Sequence, residues 1–340
     1  MSRLLGIALM VLVLYGLLVG SFQTARSVEN HRDLAERLGF YGLLTLGVGV
    51  LIIAGGIDLS IGSLVGLSAV AFGVMVQNRV PAVWAALAVV AASSLVGLFH
   101  GLLVTKLRLQ PFLVTLCGLF IYRGIARTLA QTTVGLRVTF PTLPADLSPG
   151  ERQRLLDELR PRIDALQSQA EWLRDVLAQG QPLGVPNILL VMLAVAAVLA
   201  LLLHGTVYGR YLYAVGANEQ AARYAGIATD RVKIFAYVIT AVTSGLGGVL
   251  FLMEYSLANP STAGQLLELY AITGAVLGGC ALRGGEGTVA GMVLGAAVLP
   301  LLNKLCNFSP WIGSEQEYTV IGAALLLGTV VNELIGRKRR

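Results

Sequence analysis

The chain has 340 residues, of which 56% are hydrophobic and 13% charged, against roughly 25% charged in soluble domains; its mean hydropathy is +0.75. These values exclude an ordinary water-soluble domain and place the chain among integral membrane proteins. The net charge of +6 sits mostly in short loops between apolar runs, so it points to membrane orientation and not to a nucleic-acid partner.

At the N-terminus the run Leu4–Gly20 follows the early Arg3. A signal peptide has an apolar region of about 7–15 residues and a small-x-small cleavage site. This run is longer and its site is poorly formed, so it reads as an uncleaved first span. Ten apolar runs reach the length that a bilayer core of about 30 Å asks of a helix. They are approximately 4–21, 38–55, 61–79, 82–105, 111–130, 186–204, 234–252, 266–282, 288–305 and 317–335. The expectation is an all-α, polytopic membrane helix bundle of about ten transmembrane helices.

An even number of spans puts both termini on one side, and the basic tail Gly336–Arg340 makes that side cytoplasmic. The short inner segments then hold Arg3, Lys106, Arg108, Arg210, Arg223, Arg231, Lys233, Arg283, Arg337, Lys338, Arg339 and Arg340. The short outer loops hold Arg26, Arg32, Arg37 and Arg79. Twelve against four supports this orientation. Eight or nine spans fit as well if the second or third run is re-entrant.

Between the second and third runs stands IAGGIDLSIGS (Ile53–Ser63), where glycines, an aspartate and two serines interrupt an apolar stretch. Glycine frees backbone groups that cannot face lipid. An ionisable group beside a span is a functional candidate. Two roles fit Asp58: capping the next helix through the amides of Ser60 and Ser63, or lining a transport path together with Gly55, Gly56, Ser60, Gly62 and Ser63.

Small residues recur four apart at Gly16/Gly20, Gly62/Gly66, Gly274/Gly278 and Gly287/Gly291/Gly295. This spacing predicts close helix packing, mostly within the chain.

Residues 138–185 carry most of the charge assigned to the outer side. Ser148 followed by Pro149 reads as a helix cap and first position. Leu155, Leu156, Leu159, Ile163, Leu166, Trp172, Leu173 and Leu177 recur at helical spacing. Pro161 is expected to kink or divide the helix. The segment reads as an extracytoplasmic helical insertion, either solvated or offered to a partner.

The inner loop 206–233 contains a short helix candidate, Glu219–Tyr224. Asn218 can cap it, Ala221 and Ala222 give a compact face, and Gly226 ends it. A short exposed helix between two spans suits insertion into a groove of a partner protein.

Other chemistry is poorly served. The histidines His31, His100 and His204 are scattered, and no HExxH or GxSxG occurs. No GxxxxGK[ST] phosphate loop is present, so the chain is expected to have no ATP site of its own. GEGTVA (Gly285–Ala290) matches a loose dinucleotide pattern but lies in a short turn between spans, which removes the mechanism. Cys117, Cys280 and Cys306 show no metal or disulfide spacing. Neither a cofactor nor a metal is expected.

Four blocks together carry a resemblance. GGIDLSIGS, LVTKLRLQPFLVTL (Leu103–Leu116), YGRYLYAVGANEQAARYAGI (Tyr208–Ile227) and LGGCALRGGEGTVAGMVLGA (Leu277–Ala296) are similar to the membrane permease subunits of bacterial ATP-binding cassette importers for simple sugars, the ribose, xylose, galactose and arabinose group. The blocks spread from about residue 29 to 330, so the resemblance covers nearly the whole chain as one transmembrane permease domain, 1–340. It implies an inner-membrane permease working as a pair, with a second copy or a related permease. It also implies an ATP-binding subunit docked beneath, a periplasmic sugar-binding protein above and a monosaccharide substrate. The coupling helix then falls on Gly216, Asn218, Glu219, Ala221, Ala222 and Gly226, within the loop 206–233. The family's glycine-rich aspartate loop falls on Gly55, Gly56, Asp58, Ser60, Gly62 and Ser63. The chain departs from the family at His100, where asparagine is usual, at Cys280 and Ala281, which replace a small polar pair, and in the longer 138–185 segment. An ion-coupled secondary transporter is the alternative class. It too uses broken helices, but here Asp58, Glu254 and Glu268 would have to supply its coupling acids.

Overall fold

The computed structural model describes residues 2–144 and 147–309, with isolated positions beyond them. Twelve helices dominate these residues: α1 (Ser2–Ser21), α2 (Val28–Ile53), α3 (Ile61–Gln77), α4 (Ala82–Thr105), α5 (Pro111–Leu129), α6 (Pro149–Arg174), α7 (Asn187–Ala200), α8 (Val207–Ala217), α9 (Glu219–Tyr224), α10 (Thr229–Tyr255), α11 (Leu267–Leu277) and α12 (Val289–Phe308). One two-residue ladder, β1 (Val134–Gly135) antiparallel to β2 (Leu257–Ala258), is the sheet among the described residues.

Seven helices are long and apolar enough to cross a membrane: α1, α2, α4, α5, α7 with its π-helical continuation to Gly205, α10 and α12. Helix α3 has 17 residues, the lower limit for crossing. The expected run 266–282 is corrected. Its helix, α11, has 11 residues, about 16 Å at 1.5 Å per residue, or roughly half a bilayer core. The apolar run continues past Leu277, but Gly278 and Gly279 end the helix and turn the chain. The tenth run, 317–335, and the tail Gly336–Arg340 lie outside the described residues.

Helix α10 runs through the centre and packs along α4, α3 and α2. The approach is close because glycines remove the side chains between backbones. Gly97 and Gly101 of α4 abut α10 at Tyr237 and Ile234, and Gly248 of α10 abuts α3 at Val65 and Ser68. The stretch from Gly42 to Ile53 of α2 is buried on every face, which its lack of a polar side allows. On the periphery, Trp84, Leu95, Phe120 and Val198 are 65–68% exposed, and such apolar side chains face lipid. The expected small-residue seams divide. Gly274 and Gly278 of α11 press on Gly295 and Gly291 of α12, whereas Gly16 and Gly20 have no neighbour within 4 Å.

The 138–185 segment is helical as its pattern predicts. The Ser148 hydroxyl accepts from the Glu151 amide (3.4 Å), and the Glu151 carboxylate accepts from the Ser148 amide (3.0 Å), forming a capping box. The Ser148 hydroxyl also donates to the Glu151 carboxylate, and this bond, with the one from the Ser148 amide, holds the Glu151 carboxyl below its usual range. Pro161 neither kinks α6 into two helices nor ends it: one helix runs through the proline from Pro149 to Arg174. Arg174 ties the insertion to the bundle, donating to the Met253 carbonyl (2.8 Å) and the Ser256 hydroxyl (2.6 Å) at the end of α10. A Ser148→Ala variant is expected to lose about 0.5–2 kcal/mol of local helix stability. Faster amide exchange confined to the first turns of α6 would register it; unchanged exchange there would show that the cap contributes nothing.

Candidate functional site

Helix α2 ends on a reciprocal pair of backbone bonds. Gly55 N–H donates to Ile52 C=O and Gly56 N–H to Leu51 C=O, each at 2.9 Å. Gly55 has φ +79°, a left-handed conformation that glycine adopts without strain. The same arrangement ends α9 at Gly226 and α11 at Gly279. These breaks are designed stops in helices whose last carbonyls are already satisfied.

After the stop the chain turns through Ile57–Ser60 into α3. Asp58 is 2% exposed. One carboxylate oxygen accepts from the Ser60 amide (2.7 Å) and the Ser60 hydroxyl (2.6 Å). Asp58 therefore fixes the residue that opens α3. The expected bond to Ser63 is not made; the Ser63 hydroxyl donates instead to the Ser60 carbonyl (2.8 Å). The other Asp58 oxygen faces His100 Nδ1 of α4 at 3.8 Å, beyond hydrogen-bond length. His100 Nε2 meets the Tyr122 hydroxyl of α5 at 2.7 Å. The Tyr237 hydroxyl of α10 donates to the Ile57 carbonyl at 3.4 Å. A hydrogen bond thus joins α4 to α5, another joins α10 to the turn before α3, and Asp58 sits between the two beside His100. The sequence pointed to His100 only as a departure; its pairing with Asp58 and Tyr122 joins residues far apart in the chain.

The loop 206–233 folds into α8 and α9 before α10 begins. The Thr206 hydroxyl caps α8 by accepting from the Gly209 amide (3.2 Å), and the Asn218 side chain caps α9 by accepting from the Ala221 amide (3.0 Å). Ion pairs brace α9 against the start of α10 and the α4–α5 turn. Glu219 binds Lys233 and Arg223, and Asp230 binds Lys106 (2.8 Å) and Arg223 (3.6 Å). Ala222 is 5% exposed and packs inward. Ala221 points outward, together with Gln220 and Tyr224. Tyr224 is 90% exposed, an aromatic side chain that no described residue covers. The two alanines therefore do not share one face.

The structure brings the two sequence-predicted groups together. Gly216, near the end of α8, lies against the Ile53 carbonyl at the end of α2, and that carbonyl accepts from the Gly285 amide (2.9 Å). Gly284 in turn lies over Gly216 and Gly55. A Cβ at Gly216 would overlap the Ile53 carbonyl. The ends of α2, α8 and the α11–α12 loop therefore meet backbone to backbone. Tyr213 adds a fourth tie, donating to the Gly287 carbonyl (2.8 Å). Gly62 lies elsewhere, against Gly264 and Glu268.

No group of His, Cys, Asp and Glu suited to a metal ion occurs among the described residues.

The family model described as the branched-chain amino acid transport system, permease component, matches residues 32–330. The chain is 32% identical over 322 residues to the ribose import permease protein RbsC of Escherichia coli, covering 94% of this chain and 89% of that protein. It is 32% identical over 346 residues to the autoinducer 2 import system permease protein LsrC of an Enterobacter species, covering 100% of this chain and 88% of that protein. It is also 29% identical over 289 residues to the inner membrane ABC transporter permease protein YjfF of Escherichia coli, covering 85% and 78%. No solved structure matches. With its apolar helices, its capped inner helix pair and a match over most of its length, the chain belongs to the family of branched-chain amino acid transport system permease components and is a multi-pass inner-membrane permease of the ATP-binding cassette import type.

Proposed function

We propose that the chain imports a monosaccharide or a similarly polyhydroxylated small solute. An extracytoplasmic binding protein delivers the solute, and a separate ATP-binding subunit docks on α9 and supplies the energy. The permease acts as a pair, with a second copy or a related chain. The observation that carries the coupling is the junction of Gly216, Ile53 and Gly285. Movement of α9 passes through α8 to the end of α2 without a flexible linker, because the contacts are backbone on backbone. Carriage of a sugar rests on the ribose and autoinducer 2 import permeases among the relatives. The relatives are import permeases, which favours this reading over an ion-coupled secondary transporter.

The test is co-expression with a candidate ATP-binding subunit. The outward face of α9 is the place to perturb. Tyr224→Ala is expected to lower the yield of the complex about tenfold or more, as truncation of an interface aromatic does, and Ala221→Arg to abolish it. Ala222→Arg would disturb the inward packing of α9 and does not isolate docking. Should no ATP-binding subunit associate with the wild-type chain, the importer reading falls. Should Tyr224→Ala associate normally, α9 is not the docking helix.

A further inference from the structure

The chain between β2 and α11 is not helical and runs along α3. β2 begins beside the outer end of α3, where Gln77 Nε2 donates to the carbonyl of Gly135 in the paired strand (3.3 Å). From there the chain descends along α3. The Ala263 carbonyl lies against Gly66, and the Gly264 carbonyl against Gly62, so closely that a methyl group at either glycine would collide. Gly73 is the glycine that abuts Val134 of β1. Gly62 lies eleven positions earlier (73 − 62), about 16 Å along the helix. The chain thus reaches the first turn of α3 before α11 begins.

Its residues are polar and open. Asn259, Ser261, Thr262 and Gln265 are exposed, in a succession of turns and not in a helix. Non-helical backbone at membrane depth is tolerated only inside protein or against a water-filled cavity. Among the described residues nothing else covers these side chains. Two charged groups flank them. Glu268, in the first turn of α11, is 9% exposed, and its Oε2 has no hydrogen-bond partner. A carboxylate serving only to cap α11 would spend both oxygens on its own helix. Arg123 of α5 reaches across α3 and donates to the Ala263 carbonyl.

We propose that the segment 259–266, Glu268 and Arg123 line the translocation path and form its polar selector for an uncharged polyhydroxylated solute. The Glu268 carboxylate accepts from solute hydroxyls. Arg123, Ser261, Thr262 and Gln265 donate to hydroxyl and ring oxygens. The inference rests on the transport reading above, and it places the lining on this segment and not on the Asp58 turn, whose carboxylate points into the bundle.

The test is thiol accessibility. Cys117 is the exposed native cysteine, while Cys280 and Cys306 are buried, so a Cys117→Ala background serves. Single Ser261→Cys, Thr262→Cys and Gln265→Cys variants are compared with Leu95→Cys, on the lipid side of α4. Membrane vesicles are treated with a charged, membrane-impermeant methanethiosulfonate. Reaction at the three segment positions is expected to be at least about tenfold faster than at Leu95→Cys, because a thiolate forms only where water reaches it. Glu268→Gln is expected to cut uptake at least about tenfold, the loss of a charged acceptor, with the yield of assembled complex unchanged. Uptake is read on whichever of ribose, xylose, arabinose and galactose the wild-type complex imports. Labelling no faster than at Leu95→Cys, or full uptake by Glu268→Gln, overturns the proposal. The labelling arm needs no ATP-binding subunit. Fast labelling without an associated ATP-binding subunit would keep the path and remove the importer reading. Slow labelling in a complex that imports would remove the path alone.

Discussion

A Gly216→Val variant is expected to hydrolyse ATP in its assembled complex while importing less than about a tenth of the wild-type amount. The physical cause is local. A side chain at Gly216 would enter the space held by the Ile53 carbonyl and crowd the Gly285 amide that bonds to it. The helix ends must separate, at about 1–3 kcal/mol for an overpacked contact. A larger effect follows for transport, because the contact broken is the rigid joint between the coupling helices and α2. The outward face of α9, with Tyr224 and Ala221, is left untouched, so association should survive. Uptake and ATPase rates measured on the same reconstituted preparation check the separation of the two. If both fall together, the joint holds the docking surface in shape and does not transmit its motion. If neither falls, the junction has room that the backbone distances deny.

An Asp58→Ala variant is expected to impair uptake more than assembly, with a stability loss of about 2–4 kcal/mol. The estimate follows from its bonds. Deletion removes the acceptor for the Ser60 amide and hydroxyl and leaves buried donors unsatisfied at about 1–3 kcal/mol each. It also removes the carboxylate beside His100. Asp58→Asn keeps an acceptor oxygen and should lose less. Thermal unfolding in detergent, beside uptake in vesicles, reads both quantities. Pairing Asp58→Asn with His100→Asn isolates the contact between them, since neighbours in one network are non-additive. Normal uptake by Asp58→Ala would remove this turn from the mechanism. Strict additivity in the double variant would reduce His100 to a partner of Tyr122 alone.

What could be read from the sequence was mostly what is decided within a few residues. The cap at Ser148 before Pro149, the cap at Asn218 and the stop at Gly226 are local grammar, and each stands where that grammar puts it. Most apolar runs are helices for the same reason. The length of α11 was hidden because glycine, cysteine, alanine and leucine from 278 to 282 count as apolar while two of them end the helix. Pro161 was read as a break from its own ring, yet the helix around it is exposed and continues. The facing of Ala221 and Ala222 could not be decided from a helix of six residues, where any two neighbours point about 100° apart. The joint of Gly216 with Ile53 and Gly285, the His100–Tyr122 bond and the descent of 259–266 along α3 are long-range. Their signals, a histidine in an apolar run and a cluster of small and polar residues before α11, are visible but do not name their partners.

The brevity of α11 has an electrical consequence. A membrane potential falls across whatever insulates, and with water at the polar turns before α11, as proposed above, the layer left is the length of α11, about 16 Å. A charge at that depth feels a steep share of the roughly 2.3 kcal/mol per 100 mV that acts across the whole membrane. The seal in that layer is the contact of Gly274 and Gly278 with Gly295 and Gly291. Backbone packed on backbone there leaves little room for water between the two helices, so the glycines that draw α11 onto α12 would also limit ion leak through that layer.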